Sequence, residues 1–186
     1  MNLKVGDKAP AFTANDQNGK PVKLSDFKGK KVVLYFYPKD MTPGCTAQAC
    51  SLRDNYKVLL KQGYEVLGVS TDTEKMHQKF IAKENLPFTL LADPDRKLHD
   101  LYGTWVEKSM YGRKYMGTAR VTFVINEQGV IEELIEKVDT KNHASQILGE
   151  TPKAKVAAVV KKTASKVAKK APKKAVATKK KAAKKR

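Results

Sequence analysis

The chain is poor in thiols and in indole: its 186 residues include two cysteines and one tryptophan. Two cysteines exclude the multi-bridge framework that staples small secreted domains. No run of 18 apolar residues occurs, so no membrane-spanning helix is expected. The opening MNLKVGDKAPAF has no apolar h-region, so no secretory signal is expected either. The expected compartment is therefore the cytoplasm, where thiols are kept reduced and a cysteine pair serves catalysis or metal binding more often than stability. The last absence is one of charge sign. Residues 151–186 contain no Asp or Glu but 15 of the 37 Lys and Arg. The first 150 residues hold the other 22 basic residues and all 19 acidic ones. The net charge of +18 is thus a property of the tail, and the domain is close to balanced.

What is present is the pattern of a small α/β domain, long enough to bury its own core. VVLYFY (32–37) is a continuous apolar, β-rich run and predicts a buried strand. YEVLGVS (64–70) and FTLLAD (88–93) predict two more. From Cys45 the period becomes helical, with Cys45, Ala49, Leu52, Tyr56 and Leu59 on one stripe and Gly63 as a stop. A second helix is expected after Thr71–Thr73, which offer caps. PDRKLHDLYG reads as a short helix or turn, and ASQIL (144–148) as a closing helical piece. RVTFVIN and VIEELIEKV form a hairpin across EQG. DQNGKPVKLSDFKGKK reads as turns. The region Trp105–Tyr115 reads as a loop near the site or a contact surface, with simple packing as the alternative. Alternating βαβ units predict a mixed sheet flanked by helices, compatible with a thioredoxin-like fold and with other small α/β folds. The expected division is a domain over 1–149 and a basic tail over 150–186.

The two cysteines stand at 45 and 50 in TPGCTAQAC. Cys45 follows a strand and opens a helix. Unpaired backbone N–H groups and the helix dipole favour an anion there, and a thiol in such a place ionises more easily than a free one. Five residues along a regular helix put the two Cα atoms ~8–9 Å apart on different faces, beyond the reach of a disulfide. Either the pair never bonds, or the first helical turn unwinds when it does. In the second case, oxidation of Cys45 to a sulfenic acid creates an electrophile with which Cys50 condenses, and a thiol reductant reopens the bridge. A buried, inert cysteine is the plain alternative. Zinc binding calls for about four ligands, and outside the pair only His77, His99 and His143 are on offer. Those three histidines are expected at the surface.

PKDMTPGC fits the P-x3-T-x2-C pattern of peroxiredoxins through Pro38, Thr42 and Cys45, and TPGCTAQAC resembles the bacterioferritin comigratory protein, or peroxiredoxin Q, subfamily. The resemblance runs over roughly residues 3–149, including VGDKAPAFTANDQNGKPVKLSDFKGKKVVLYFYPKD and GTWVEKSMYGRKYMGTARVTFVINEQG. It implies an α/β, thioredoxin-like fold and a thiol peroxidase. By that resemblance Cys45 attacks the O–O bond of hydrogen peroxide or an organic hydroperoxide, Thr42 orients the peroxide through its hydroxyl, and Pro38 shields the sulfur. Arg120 stabilises the thiolate and polarises the peroxide, and Cys50 resolves the sulfenic acid into an intramolecular disulfide. Thioredoxin or a similar dithiol is the implied reductant, a monomer the implied state, and no metal, haem or flavin is implied as cofactor. One position departs from the pattern: the subfamily commonly has Glu three residues after the peroxidatic cysteine, and here Gln48 stands there. Without the resemblance, Arg120 reads as a surface ion pair and Thr42 as a helix cap.

The tail resembles the Lys/Ala-rich tails of histone H1 and of bacterial histone-like proteins. Fifteen like charges and little apolar surface predict a segment disordered when free. Its composition predicts salt-sensitive, sequence-independent binding to nucleic acid or another polyanion, and with it association with the nucleoid. It lacks apolar or aromatic membrane anchors. The rival to the enzyme is a non-catalytic nucleoid-binding protein, or a redox sensor, on a thioredoxin-like scaffold.

Overall fold

The computed structural model describes residues 3–110 and 112–149. The tail expected to be disordered, 150–186, lies outside the described residues. The main sheet has seven strands, in the order β2 (Pro21–Lys23), β1 (Thr13–Asp16), β5 (Thr89–Ala92), β4 (Tyr64–Ser70), β3 (Lys31–Phe36), β8 (Val121–Ile125), β9 (Ile131–Ile135). Its centre is the parallel trio β3 (Lys31–Phe36), β4 (Tyr64–Ser70) and β5 (Thr89–Ala92). β8 (Val121–Ile125) adds antiparallel to β3, and β9 (Ile131–Ile135) to β8. These strands, and the crossovers through α1 (Pro43–Asp54), α2 (Tyr56–Lys61) and α3 (Glu74–Glu84), follow the predicted order. α4 (Lys97–Leu101) and α5 (His143–Ile147) are the remaining α-helices among the described residues.

Strand alternation divides the core into two layers. Val33, Tyr35 and Tyr37 enter one layer with Cys45, Ala49, Leu52, Leu59 and Phe80. Val32, Leu34 and Phe36 enter the other with Leu98, Tyr102 and Phe123. Because β3 is covered on both faces, its sequence is a continuous apolar run rather than an alternating one. Gly68 lets this packing close: a Cβ there would lie 2.6 Å from Leu90 Cδ2 and 2.7 Å from the Tyr35 ring.

Three features differ from the sequence expectations. The stripe from Cys45 to Leu59 is buried as expected but belongs to two helices. Asn55 Nδ2 donates to Ser51 O at 2.9 Å, and Asn55 leaves helical geometry at φ −107°, ψ 7°, a local competition typical of Asn. The stretch 16–31, read as turns, holds the turn and the second strand of a hairpin, β2 (Pro21–Lys23), which pairs with β1 (Thr13–Asp16) just ahead of it. Asp16 Oδ1 organises its turn by accepting from the Asn18 and Lys20 amides. The strands are short and mostly exposed, so no apolar alternation marks them. Likewise the Trp105–Tyr115 region forms strands: β6 (Trp105–Met110) pairs antiparallel with β7 (Arg113–Thr118) as a separate two-stranded sheet. β7 is largely exposed and rich in basic and polar residues, which is why it reads as a loop.

Candidate active site

Sheet pairing brings the distant pieces together. Phe36 at the end of β3 pairs with Val121 at the start of β8. The chain leaving β3 through Pro38 therefore runs beside Arg120, although 75 residues separate Cys45 from Arg120. Between Pro38 and the helix, the loop is pinned from below. Buried Asp40 accepts from Tyr37 Oη at 2.6 Å and meets His77 Nδ1 at 2.8 Å, and its amide donates to Asp72 Oδ2 at 2.8 Å. Met41 takes a left-handed conformation, φ 57°, a strained state for a non-glycine residue that needs such support. It turns the chain into α1.

Thr42 is the N-cap residue and Pro43 the first helical residue, the position proline fits without losing a bond. The Thr42 carbonyl accepts the first helical bond, from Thr46 N at 2.8 Å. Its hydroxyl makes no capping bond and donates instead to Lys39 O at 3.0 Å. That leaves the Thr42 oxygen with lone pairs for a further donor. Pro38 and Thr42 are half-buried.

Cys45 lies in the first turn of α1, 2% exposed and unbridged. Arg120 Nη2 donates to its Sγ at 3.3 Å. The guanidinium lies against the helix start: a Cβ on Gly44 would come within 3.4 Å of Nη2. A cation at a helix N-terminus opposes the usual dipole preference, and here the guanidinium is held in place by bonds to Gln48 Oε1 and to the Cys45 sulfur. Lys108 of β6 lies in the same electrostatic neighbourhood. Burial pushes its pKa down, the Arg120 charge pushes it further down, and Cys45 pulls it up. Lys108 Nζ donates to Thr118 O. The β6–β7 hairpin thus brings a second basic residue near the sulfur, which the sequence reading missed. A cavity of about 150 Å³ opens beside Arg120, lined by Gly103, Val106, Ala119, Val121 and Glu136.

Gln48 is fully buried. Arg120 Nη1 donates to its Oε1, and its Nε2 lies 3.2 Å from His143 Nδ1. His143 Nε2 lies 2.9 Å from Thr122 Oγ1. Burial first, and then the Arg120 charge, push His143 down to about 3 against a smaller raising effect of Asp139.

Cys50 has other surroundings. It is half-buried and a free thiol, and its Sγ donates to Glu84 Oε2 at 3.7 Å, at the end of α3. Arg53 Nη1 holds the Glu84 carbonyl at 2.7 Å. Burial pushes the Cys50 pKa up, Arg53 pulls it down, and Glu84 adds to the rise. Both thiols sit inside one regular helix and address different partners, so joining them requires α1 to open locally.

The expectation that the three histidines lie at the surface is corrected. His77, His99 and His143 are each fully buried, with both ring nitrogens engaged. His77 bridges Asp40 and Leu91 O. His99 meets Asp93 Oδ2 at 2.6 Å and Thr118 Oγ1 at 3.0 Å, tying β7 to α4. A signal existed for His77, which shares the buried side of α3 with Phe80 at helical spacing. Isolated letters gave none for the other two. Arg120, which reads alone as a surface ion pair, instead makes its side-chain bonds to Cys45 and Gln48 among the described residues.

The chain has close likenesses among known proteins. Residues 5–134 match the model of the AhpC/TSA family. The chain is 50% identical over 149 residues to the putative peroxiredoxin Bcp of Coxiella burnetii, covering 80% of this chain and 99% of that protein. It is 49% identical over 146 residues to peroxiredoxin Bcp of Escherichia coli, covering 78% and 94%. Among solved structures, a PrxQ mutant of Xylella fastidiosa superposes with a TM-score of 0.75 at 31% identity, covering 85% of this chain and 99% of that one. Peroxiredoxin Q of Xanthomonas campestris superposes with a TM-score of 0.70 at 34% identity, covering 74% and 87%. The thioredoxin-like arrangement of the sheet agrees with these neighbours. The chain belongs to the AhpC/TSA family, among its peroxiredoxins of the Bcp and Q kind, and is a thiol peroxidase.

Proposed function

We propose that Cys45 is the peroxidatic residue and Cys50 its resolving partner. The observation that carries this reading is the Arg120 guanidinium 3.3 Å from a buried sulfur at a helix start. The Cys45 thiolate attacks one peroxide oxygen. The O–O bond breaks, the sulfur becomes a sulfenic acid, and the other oxygen leaves as water or an alcohol after taking a proton. Arg120 stabilises the charge growing on that leaving oxygen, and its planar fork stays ionised throughout. The Thr42 oxygen accepts a hydrogen bond from the peroxide, and Pro38 limits water at the sulfur. The first turns of α1 then open, the Cys50 thiol attacks the sulfenic sulfur, and water leaves as the disulfide forms. Thioredoxin or a related dithiol returns the pair to thiols by exchange. Sulfur carries both electrons, so the scheme calls for no metal, haem or flavin. Hydrogen peroxide and organic hydroperoxides both fit.

Residues 150–186 act in this reading as a separate basic segment that tethers the peroxidase to DNA or another polyanion within the cytoplasm. The support is compositional: 15 basic residues and no acidic ones over 151–186. Such binding falls steeply with salt.

Peroxide consumption coupled to thioredoxin tests the chemistry. Cys45→Ser abolishes turnover. Cys50→Ser completes one round and stalls, and normal turnover of that variant would remove the resolving role. Gel shifts on duplex DNA at low salt test the tail. A chain ending at Gly149 binds far more weakly than the full chain, and equal affinity would remove the tether. Monomeric behaviour in solution is the expected state.

A further inference from the structure

Gln48 poses a problem that a carboxylate in its place would not. A carboxylate presents two equivalent acceptors, whereas an amide presents an acceptor on one side and a donor on the other. Arg120 has only donors, so the atom of Gln48 that faces it must be the oxygen. Reversing the amide would set two donors against each other and release the guanidinium. Something must therefore hold the amide one way round.

The structure carries a chain of bonds able to do so. With Oε1 on Arg120, Nε2 donates to His143 Nδ1 at 3.2 Å. His143 Nδ1 must then be the bare nitrogen, and Nε2 must carry the proton, which it gives to Thr122 Oγ1 at 2.9 Å. Every member of this chain except Arg120 is fully buried, so no competing solvent bond offers an alternative. Burial and the nearby guanidinium both disfavour a charged imidazole at position 143. A second proton on His143 would oppose the Gln48 amide and add a second cation.

We propose that His143 is a positioning residue for the peroxidase reaction: its Nδ1 lone pair fixes the Gln48 amide so that Gln48 holds Arg120 on the Cys45 sulfur. The inference rests on the reading of Cys45 as the sulfur that meets peroxide. His143 touches neither sulfur nor substrate; it acts through Gln48 and Arg120. Small displacements of a positioned group cost up to about a hundredfold in rate.

A double-mutant cycle separates positioning from bulk packing. The second-order rate of Cys45 oxidation by hydrogen peroxide is measured in the full-length wild type, His143→Leu, Gln48→Glu and the double variant. His143→Leu lowers the rate about tenfold or more. In the Gln48→Glu background the same change costs less than about threefold, because a carboxylate has no wrong way round. His143→Asn, which offers an oxygen near the place of Nδ1, restores most of the loss. Equal losses in both backgrounds, or no loss in either, would overturn the proposal.

A second measurement stands apart from rates and from the stability of the leucine variant. Nitrogen-15 NMR of His143 in the wild type reports a bare Nδ1 and a protonated Nε2, and Gln48→Glu inverts that tautomer. A proton on Nδ1 in the wild type would overturn the proposal. If the wild-type sulfur itself reacts no faster than a free thiol, the peroxidase reading fails, and the tautomer still decides whether His143 orients the Gln48 amide.

Discussion

Cys45 and Cys50 share one helix and differ in what each sulfur meets. Cys45 is buried at the N-terminal turn with a guanidinium on it. Cys50, five residues on, is half-buried and donates its proton toward a carboxylate. Burial pushes the Cys50 pKa up, Arg53 pulls it down, and the Glu84 carboxylate adds to the rise. The division of labour proposed for the two sulfurs, one attacking and one resolving, follows from the partners each one finds. Those partners come from different parts of the chain: Arg120 just ahead of β8, and Glu84 at the end of α3.

The contrast breaks most sharply at its cationic end. Arg120→Met removes the charge from Cys45 and leaves Cys50 untouched. The rate of peroxide reduction should fall roughly a hundredfold to a thousandfold, the scale of losing a donor aimed at developing charge. Stopped-flow oxidation of the reduced protein measures it. Arg120→Lys should recover little, because a single ammonium does not reproduce a fork that binds Cys45 and Gln48 together. A loss of less than threefold would mean that the guanidinium is not part of the chemistry.

The support behind Cys45 has its own pH signature. His143 falls to about 3 in the fold from an ordinary 6.5. Between those values the unfolded chain takes up a proton that the fold refuses, so stability rises with pH by up to ~1.4 kcal/mol per unit from this one group. This contribution is complete above about 6.5 and is lost as pH falls toward about 3. Arg120 and Asp139 are the charged groups acting on it. Denaturant unfolding between pH 7 and pH 4 should show a shallower loss for His143→Asn than for the wild type. Parallel curves would place the acid sensitivity elsewhere.

The smallest effect belongs to Cys50. Burial raises its pKa most and Glu84 adds to that rise. In a Cys45→Ser background, Glu84→Gln should shift the pH midpoint of Cys50 alkylation modestly downward. A shift upward would show that the carboxylate does not act on this thiol.

These contrasts also mark what the sequence could and could not reveal. The apolar run of β3 and the stripe from Cys45 to Leu59 declare buried elements, because burial on both sheet faces and on one helix face leaves periodic letters. Pro38, Thr42 and Cys45 are close in sequence and form a motif. Arg120 is legible only by resemblance, since sheet pairing between β3 and β8 sets it near Cys45. The exposed hairpins β1–β2 and β6–β7 hide because strands held by backbone bonds at a wet surface need no apolar alternation. His143 hides for a different reason. Its burial depends on partners, Gln48 and Thr122, drawn from two other elements, and a single letter carries no record of them.

The central claim is that oxidation arriving at one sulfur is handed to the other. Mass spectrometry of the peptide spanning residues 36–56, after one equivalent of hydrogen peroxide on the reduced protein, tests it most directly. The expected product is a peptide lighter by two hydrogens, with Cys45 and Cys50 bridged. A peptide carrying one added oxygen on Cys50, or both thiols unchanged while peroxide persists, would contradict it.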